Sequence, residues 1–136
     1  MLRMLFVVIS ILLLLNACSS GDQLTELVGT EWNVTSQLGK SLNAADITKG
    51  LPSLNFSDNG KLFGSTGCNS FTGSYKLEGT KLSLDPGAMT KMMCSDNTEQ
   101  DFLNAINQVT NVKMDGNTLN LLNGSKTVMS LVPKTK

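Results

Sequence analysis

The sequence predicts a mainly β fold: a small antiparallel β-barrel or highly curved sheet of about eight strands with one amphipathic α-helix. Three observations carry this expectation. Short apolar runs recur between Gly, Asn and Asp punctuation from Trp32 to Val132, the pattern of strands joined by tight turns. One stretch, residues 96–109, instead places its apolar side chains at helical spacing. The chain without its N-terminal leader is about 120 residues, enough for one modest core.

Leu24 to Val28 reads as a helical turn before Gly29, and Trp32 to Leu38 as a strand ended by Gly39-Lys40. Leu42 to Gly50 reads as a short helix or a loop, and Pro52 favours extended chain before it. Ser53 to Ser57 and Lys61 to Ser65 flank Asp58-Asn59-Gly60, where Asn-Gly favours a hairpin turn with both residues at positive φ. Gly73 to Leu77 and Lys81 to Leu84 flank Glu78-Gly79-Thr80. Asp85-Pro86-Gly87 reads as a turn, and Ala88 to Met93 as a further strand. Val112 to Met114, Thr118 to Leu122 and Lys126 to Val132 complete the set, separated by Asp115-Gly116-Asn117 and Asn123-Gly124.

The helix is expected at 96–109. Asp96-Asn97-Thr98-Glu99 fits a capping box in which Asp96 accepts from the Glu99 backbone N–H. Phe102, Leu103, Ile106 and Val109 then share one face. Asp96, Glu99 and Asp101 sit where the helix dipole favours negative charge. Capping is therefore their expected role.

Residues 1–17 read as an export leader. Arg3 supplies the positive charge, and Met4 to Leu15 an apolar run broken only by Ser10. That run is shorter than the ~20 residues a spanning helix needs and suits a signal peptide. Leu15-Asn16-Ala17-Cys18 resembles a bacterial lipobox, which makes Cys18 the acylated first residue. Residues 18–23 then form a polar tether, and 24–133 the folded domain. No Asp follows Cys18 directly, so in a Gram-negative cell the resemblance implies an outer-membrane lipid anchor facing the periplasm.

Composition narrows the function. Eleven basic residues face eleven acidic ones, scattered without blocks, so no basic face for nucleic acid is expected. The chain has no His. That removes Ser-His and Cys-His nucleophile pairs and His-based zinc sites. No catalytic residue, cofactor or metal is expected. The thioethers of Met89, Met92 and Met93 are a weak copper candidate. Strand alternation would send Met92 and Met93 to opposite faces, and the plainer reading is that they fill gaps in the core.

With Cys18 acylated, Cys68 and Cys94 remain. An even count in an exported chain reads as a disulfide, stabilising by roughly 3.5 kcal/mol on the chain-entropy model. A redox-active or metal-binding pair is the alternative, without His or a Cys-x-x-Cys arrangement to favour it.

The densest motif is Gly67-Cys68-Asn69-Ser70-Phe71-Thr72-Gly73-Ser74-Tyr75. Its glycines, with Gly64, signal bulges, bends or close backbone approach. Asn69 is expected to bond the backbone locally or adopt the left-handed conformation. Asn69, Ser70 and Phe71 are the candidate partner-binding residues. Together with Gly79, Leu82, Thr90, Met92 and Cys94, this motif resembles the signature of the META domain (DUF306) of HslJ-like heat-inducible envelope proteins. Leu27, Gly29, Trp32 and Gly39 fit that family's opening motif. The resemblance covers roughly 24–133. It implies a compact barrel-like fold carrying a helix, in envelope lipoproteins linked to heat or antibiotic stress, and offers no catalytic residues to carry over.

The functional expectation is a non-catalytic outer-membrane lipoprotein. It touches the membrane through its N-terminal lipid and serves as a binding or interaction module for another envelope protein under stress. The oligomeric state is not legible. The alternatives are an inhibitor of a hydrolase such as lysozyme, or a carrier of a small apolar ligand in the barrel mouth.

Overall fold

The computed structural model describes residues 25–47 and 49–135. The expected leader 1–17, Cys18 and the tether 18–23 lie outside them. Among the described residues no helix is long and apolar enough to cross a membrane.

A short turn of 3-10 helix at residues 25 and 26 leads into the fold. Strands β1 (Glu31–Gln37) and β2 (Lys40–Ser41) form a hairpin. A 3-10 turn, Ala44–Asp46, resolves the ambiguous stretch that follows. Then come β3 (Ser53–Phe56), β4 (Lys61–Ser65), β5 (Ser70–Glu78) and β6 (Lys81–Met89). Helix α1 (Thr98–Gln108) precedes β7 (Asn111–Asp115), β8 (Thr118–Asn123) and β9 (Lys126–Pro133). These nine strands make one antiparallel sheet that curls until β9 pairs with β1. Trp32 lies opposite Pro133 and Val34 opposite Leu131, with an irregularity before Ser36. The ring is thinnest between β6 and β7, which share only the Lys81–Asn111 pair. Helix α1 connects these two strands and packs against β6, β9 and β1.

The expected fold class is the observed one. Alternation is clearest in β7 and β8, where Val112, Met114, Leu119 and Leu121 face the core and their neighbours do not. Trp32, Phe56, Phe102, Leu54, Leu121 and Leu131 are among the fully buried side chains. The Trp32 indole N–H donates to the Leu27 carbonyl at 3.1 Å, so its one polar atom is satisfied inside. Phe56 meets Tyr75 edge to face, with ring centroids 5.1 Å apart. The Tyr75 hydroxyl donates to the Ser57 carbonyl.

Several local expectations are corrected. At Asp58-Asn59-Gly60 only Gly60 has positive φ, at 78°. The loop runs from Ser57 to Gly60 and closes with Ser57 N–H donating to Lys61 O, so Asn59 needs no left-handed backbone. Asp85-Pro86-Gly87 does not end a strand. It is part of β6, opposite Thr72 and Ser74 of β5, and the pairing shifts between Phe71 and Thr72. A bulge absorbs the turn-forming residues because β5 continues beside them. Gly73 permits the close approach. A β-carbon there would sit 1.9 Å from the Asp85 carbonyl oxygen.

The separate strand expected at Ala88 to Met93 is absent. Pairing ends at Met89, and 90–94 carry no strand. Met92 and Met93 are therefore exposed instead of filling the core, whereas Met114 and Met129 are buried. The helix starts at Thr98, and the box is not closed as expected: Asp96 Oδ1 accepts from the Thr98 N–H at 2.9 Å. That bond, the main cause, holds the Asp96 carboxyl below its ordinary value. Phe102, Ala105 and Ile106 are the helix's buried face. Phe102 packs on Phe71 with centroids 5.6 Å apart.

Candidate functional site

The site builds from the end of β4. After Ser65 the chain turns through Thr66 to Asn69, with Gly67 at φ +89°. Thr66 organises the turn. Its N–H donates to the Asn69 carbonyl at 2.8 Å. Its hydroxyl oxygen accepts from the Asn69 N–H at 2.9 Å and the Cys68 N–H at 3.3 Å. The same hydroxyl donates to Glu99 Oε2 at 2.5 Å.

This turn aims the Asn69 side chain across the molecule, away from its own backbone. Its Oδ1 accepts from the Met92 N–H at 2.7 Å and from the Thr90 hydroxyl at 2.9 Å. Its Nδ2 donates to the Met92 carbonyl at 3.1 Å and to Glu99 Oε2 at 2.8 Å. An amide has two donors and an acceptor oxygen with two lone pairs, so Asn69 is fully used. It is 2% exposed, and a buried amide is costly unless satisfied in this way. The expected local role of Asn69 is thus corrected. The turn at Gly67 points its side chain away, toward residues more than twenty positions later.

Cys68 and Cys94 form a disulfide with Cα atoms 5.8 Å apart. Cys68 is buried and Cys94 half-exposed. Two ties therefore hold the 90–94 segment to the 66–69 turn, one covalent and one through Asn69. The two sulfurs and a Glu99 oxygen lie within 4.8 Å of one another. Joined as a disulfide, the sulfurs are not the thiolates that bind soft metals. Glu99 is already engaged by Thr66 and Asn69.

Of the three candidate partner-binding residues, only Ser70 is exposed. Asn69 is buried in the hydrogen-bond hub, and Phe71 is 3% exposed against Phe102. Neither presents a contact surface, because the turn and β5 point both inward. What they hold outward is the next layer: Met92 is 51% exposed and Met93 96%.

Sequence reasoning missed Glu99, Thr66 and Gln37. Glu99 occupies the slot of a capping carboxylate, and that local explanation concealed its partner 30 residues earlier. Thr66 carries no sequence signal. Gln37, at the far end of β1, is 1% exposed and donates from Nε2 to the Thr98 carbonyl at 2.9 Å. Its Oε1 is buried without a partner among the described residues. Lys40 and Asp101 form an exposed ion pair at 2.8 Å beside it. Gln37 and this pair fix the start of α1, and hence Glu99, against the β1–β2 hairpin.

The molecule is thus a small closed β-barrel with one helix and a disulfide-clamped surface loop. The META domain model matches residues 25–136, and the chain belongs to the META domain family. The chain is similar to an NMR structure of a protein from Burkholderia xenovorans at 27% identity and TM-score 0.60, over 85% of this chain and 88% of that one. A second NMR structure matches at 25% identity and TM-score 0.62, over 79% of this chain and 92% of the other. The crystal structure of a DUF4847 family protein from Bacteroides vulgatus shares the fold at 17% identity and TM-score 0.61, over 84% of this chain and 99% of that one. A comparison with curated proteins found no match.

Proposed function

We propose that this chain is a non-catalytic bacterial envelope lipoprotein, acylated at Cys18 and anchored in the outer membrane facing the periplasm. Its META domain serves as a binding or interaction module in envelope stress tolerance. The observation that carries the reading is the saturation of the hub. Asn69, Thr66 and Glu99 bond one another and Met92, and both sulfurs are joined. Such a set leaves no nucleophile–base pair. It does leave a rigid loop, 91–95, at the surface.

The placement of that loop suits the reading. The chain enters the fold beside Glu31, at the start of β1. The hub lies near Gln37, at its end, because Gln37 bonds Thr98 next to Glu99. Six strand steps separate the two ends by about 20 Å. A lipid tether before residue 24 would hold the first end at the membrane and turn the loop toward the periplasm.

Among the alternatives, the exposed clamped loop favours an inhibitor over a carrier. The barrel interior is filled by Trp32, Phe56, Phe102 and their neighbours, which leaves an apolar ligand little room.

The test is in-cell photocrosslinking of the lipidated chain from position 91, beside a Met93→Asp variant. A discrete envelope partner that is lost in the variant is expected. No specific product from either chain would sink the binding-module reading. Cys18→Ala should release the chain from membranes; retention would overturn the anchor.

A further inference from the structure

Met93 is almost wholly exposed, while the backbone on both sides of it is fixed. On one side, Met92 N–H and C=O are both held by the Asn69 amide, at 2.7 Å and 3.1 Å. On the other, Cys94 is bonded to Cys68. Among the described residues no hydrogen bond uses the Met93 backbone. The segment has no left-handed residue and no helix. Met129, by contrast, is buried in the core. Here the fold holds a flexible apolar side chain in water on a backbone that is already ordered.

An endoprotease binds its substrate as an added strand. The residue entering its primary pocket must have a free N–H and C=O, since that carbonyl reaches the oxyanion donors. The residue before it turns its backbone groups away from the enzyme. Met92 and Met93 divide along those lines: Met92's groups are turned in to Asn69, and Met93's are free.

We infer that Lys91–Ser95 is a substrate-like loop that occupies the cleft of a serine endoprotease with an apolar primary pocket. Met93 enters the pocket, and the Met93–Cys94 peptide lies at the nucleophile. This rests on reading the loop as the binding face. The loop inhibits because its ordering cost is met before binding. Hydrolysis of Met93–Cys94 would consume one water and leave a Met93 carboxylate and a Cys94 ammonium. Both new ends stay in place, Met92 on Asn69 and Cys94 on Cys68, so resealing competes with release. Exposed Lys91 and Asp96 lie on either side of Met93 and would meet the rim of the cleft.

The test uses the purified full-length chain against chymotrypsin, elastase and subtilisin, each assayed with a chromogenic peptide substrate. Competitive inhibition of at least one, with a dissociation constant of about 1 μM or tighter, is expected. Met93→Asp should weaken it about a hundredfold or more, as loss of a central anchor does. Met93→Leu should stay within about tenfold. Unchanged thermal melts of both variants would confirm that the fold is intact. The inference is overturned by no inhibition of any of the three at about 100 μM. Cleavage at Met93–Cys94 as fast as in a free peptide, or inhibition unchanged in Met93→Asp, would also overturn it. Crosslinking from position 91 to an envelope partner without protease inhibition would refute this inference and leave the binding-module reading standing.

Discussion

Asn69 pairs with Met92 through both groups of its amide, accepting from the Met92 N–H at 2.7 Å and donating to the Met92 carbonyl at 3.1 Å. A strand neighbour would make the same two bonds. The side chain of one buried residue thus stands in for a strand and holds a surface segment that no strand pairs.

Asn69→Asp removes the donor and sets a carboxylate against Glu99, whose Oε2 lies 2.8 Å from Asn69 Nδ2. The expected cost is about 3 kcal/mol, from a lost hydrogen bond of the buried amide plus a partly buried like-charge contact. Urea titration at neutral pH reads it as a lowered midpoint with an unchanged slope. A midpoint within error of the parent would refute the role assigned to Asn69.

Removing the disulfide with Cys68→Ser and Cys94→Ser should cost about 3.5 kcal/mol. Reductant should lower the parent's midpoint by a similar amount and leave the double variant unaffected. A parent insensitive to reductant would mean that the two thiols are not joined in solution.

Gly73→Ala places a methyl 1.9 Å from the Asp85 carbonyl oxygen. The clash is with backbone, so β5 and β6 must separate. A loss of about 3 kcal/mol or more is expected. A circular-dichroism melt close to the parent's would show that the two strands part easily there.

Tyr75 supplies an alkaline pH dependence. Burial, with a smaller contribution from Asp58, raises its phenol above the ordinary 10.0. The folded protein therefore keeps this proton at pH values where the unfolded chain has lost it. The contribution is complete below the unfolded value and is lost as pH rises through the folded one. Tyr75→Phe should flatten the decline in stability above about pH 10. It should also cost about 1 kcal/mol at neutral pH for the lost bond to Ser57. Denaturant midpoints measured from neutral to alkaline pH check both. Asp96 acts at the other extreme. Its lowered carboxyl contributes above the unfolded value near 3.8 and ceases to do so as pH falls through the folded one.

Much of the architecture was legible because it is written in local chemistry. Turn residues punctuate the strands, and Phe102 and Ile106 mark one helix face. The family motif singled out Asn69 and Phe71, yet the residues exposed in that region are Met92 and Met93. Asn69 and Phe71 lie beneath them. Ala88 to Met93 has strand-like composition, but pairing stops at Met89 and Met92 is satisfied by Asn69 in place of a strand. Glu99 looked like a cap because only sequence neighbours could be seen.

A barrel-type domain, one helix and a cysteine pair able to join could be read from the residues alone, since short-range backbone preferences and alternating burial act within a few residues. Which face the hub supports depends instead on how distant segments meet. The bonds of Asn69 to Met92 and Glu99 and of Gln37 to Thr98 join residues 23 to 61 positions apart. Such pairings exist only once the sheet has curled and the helix has docked, when burial makes every polar group seek a partner.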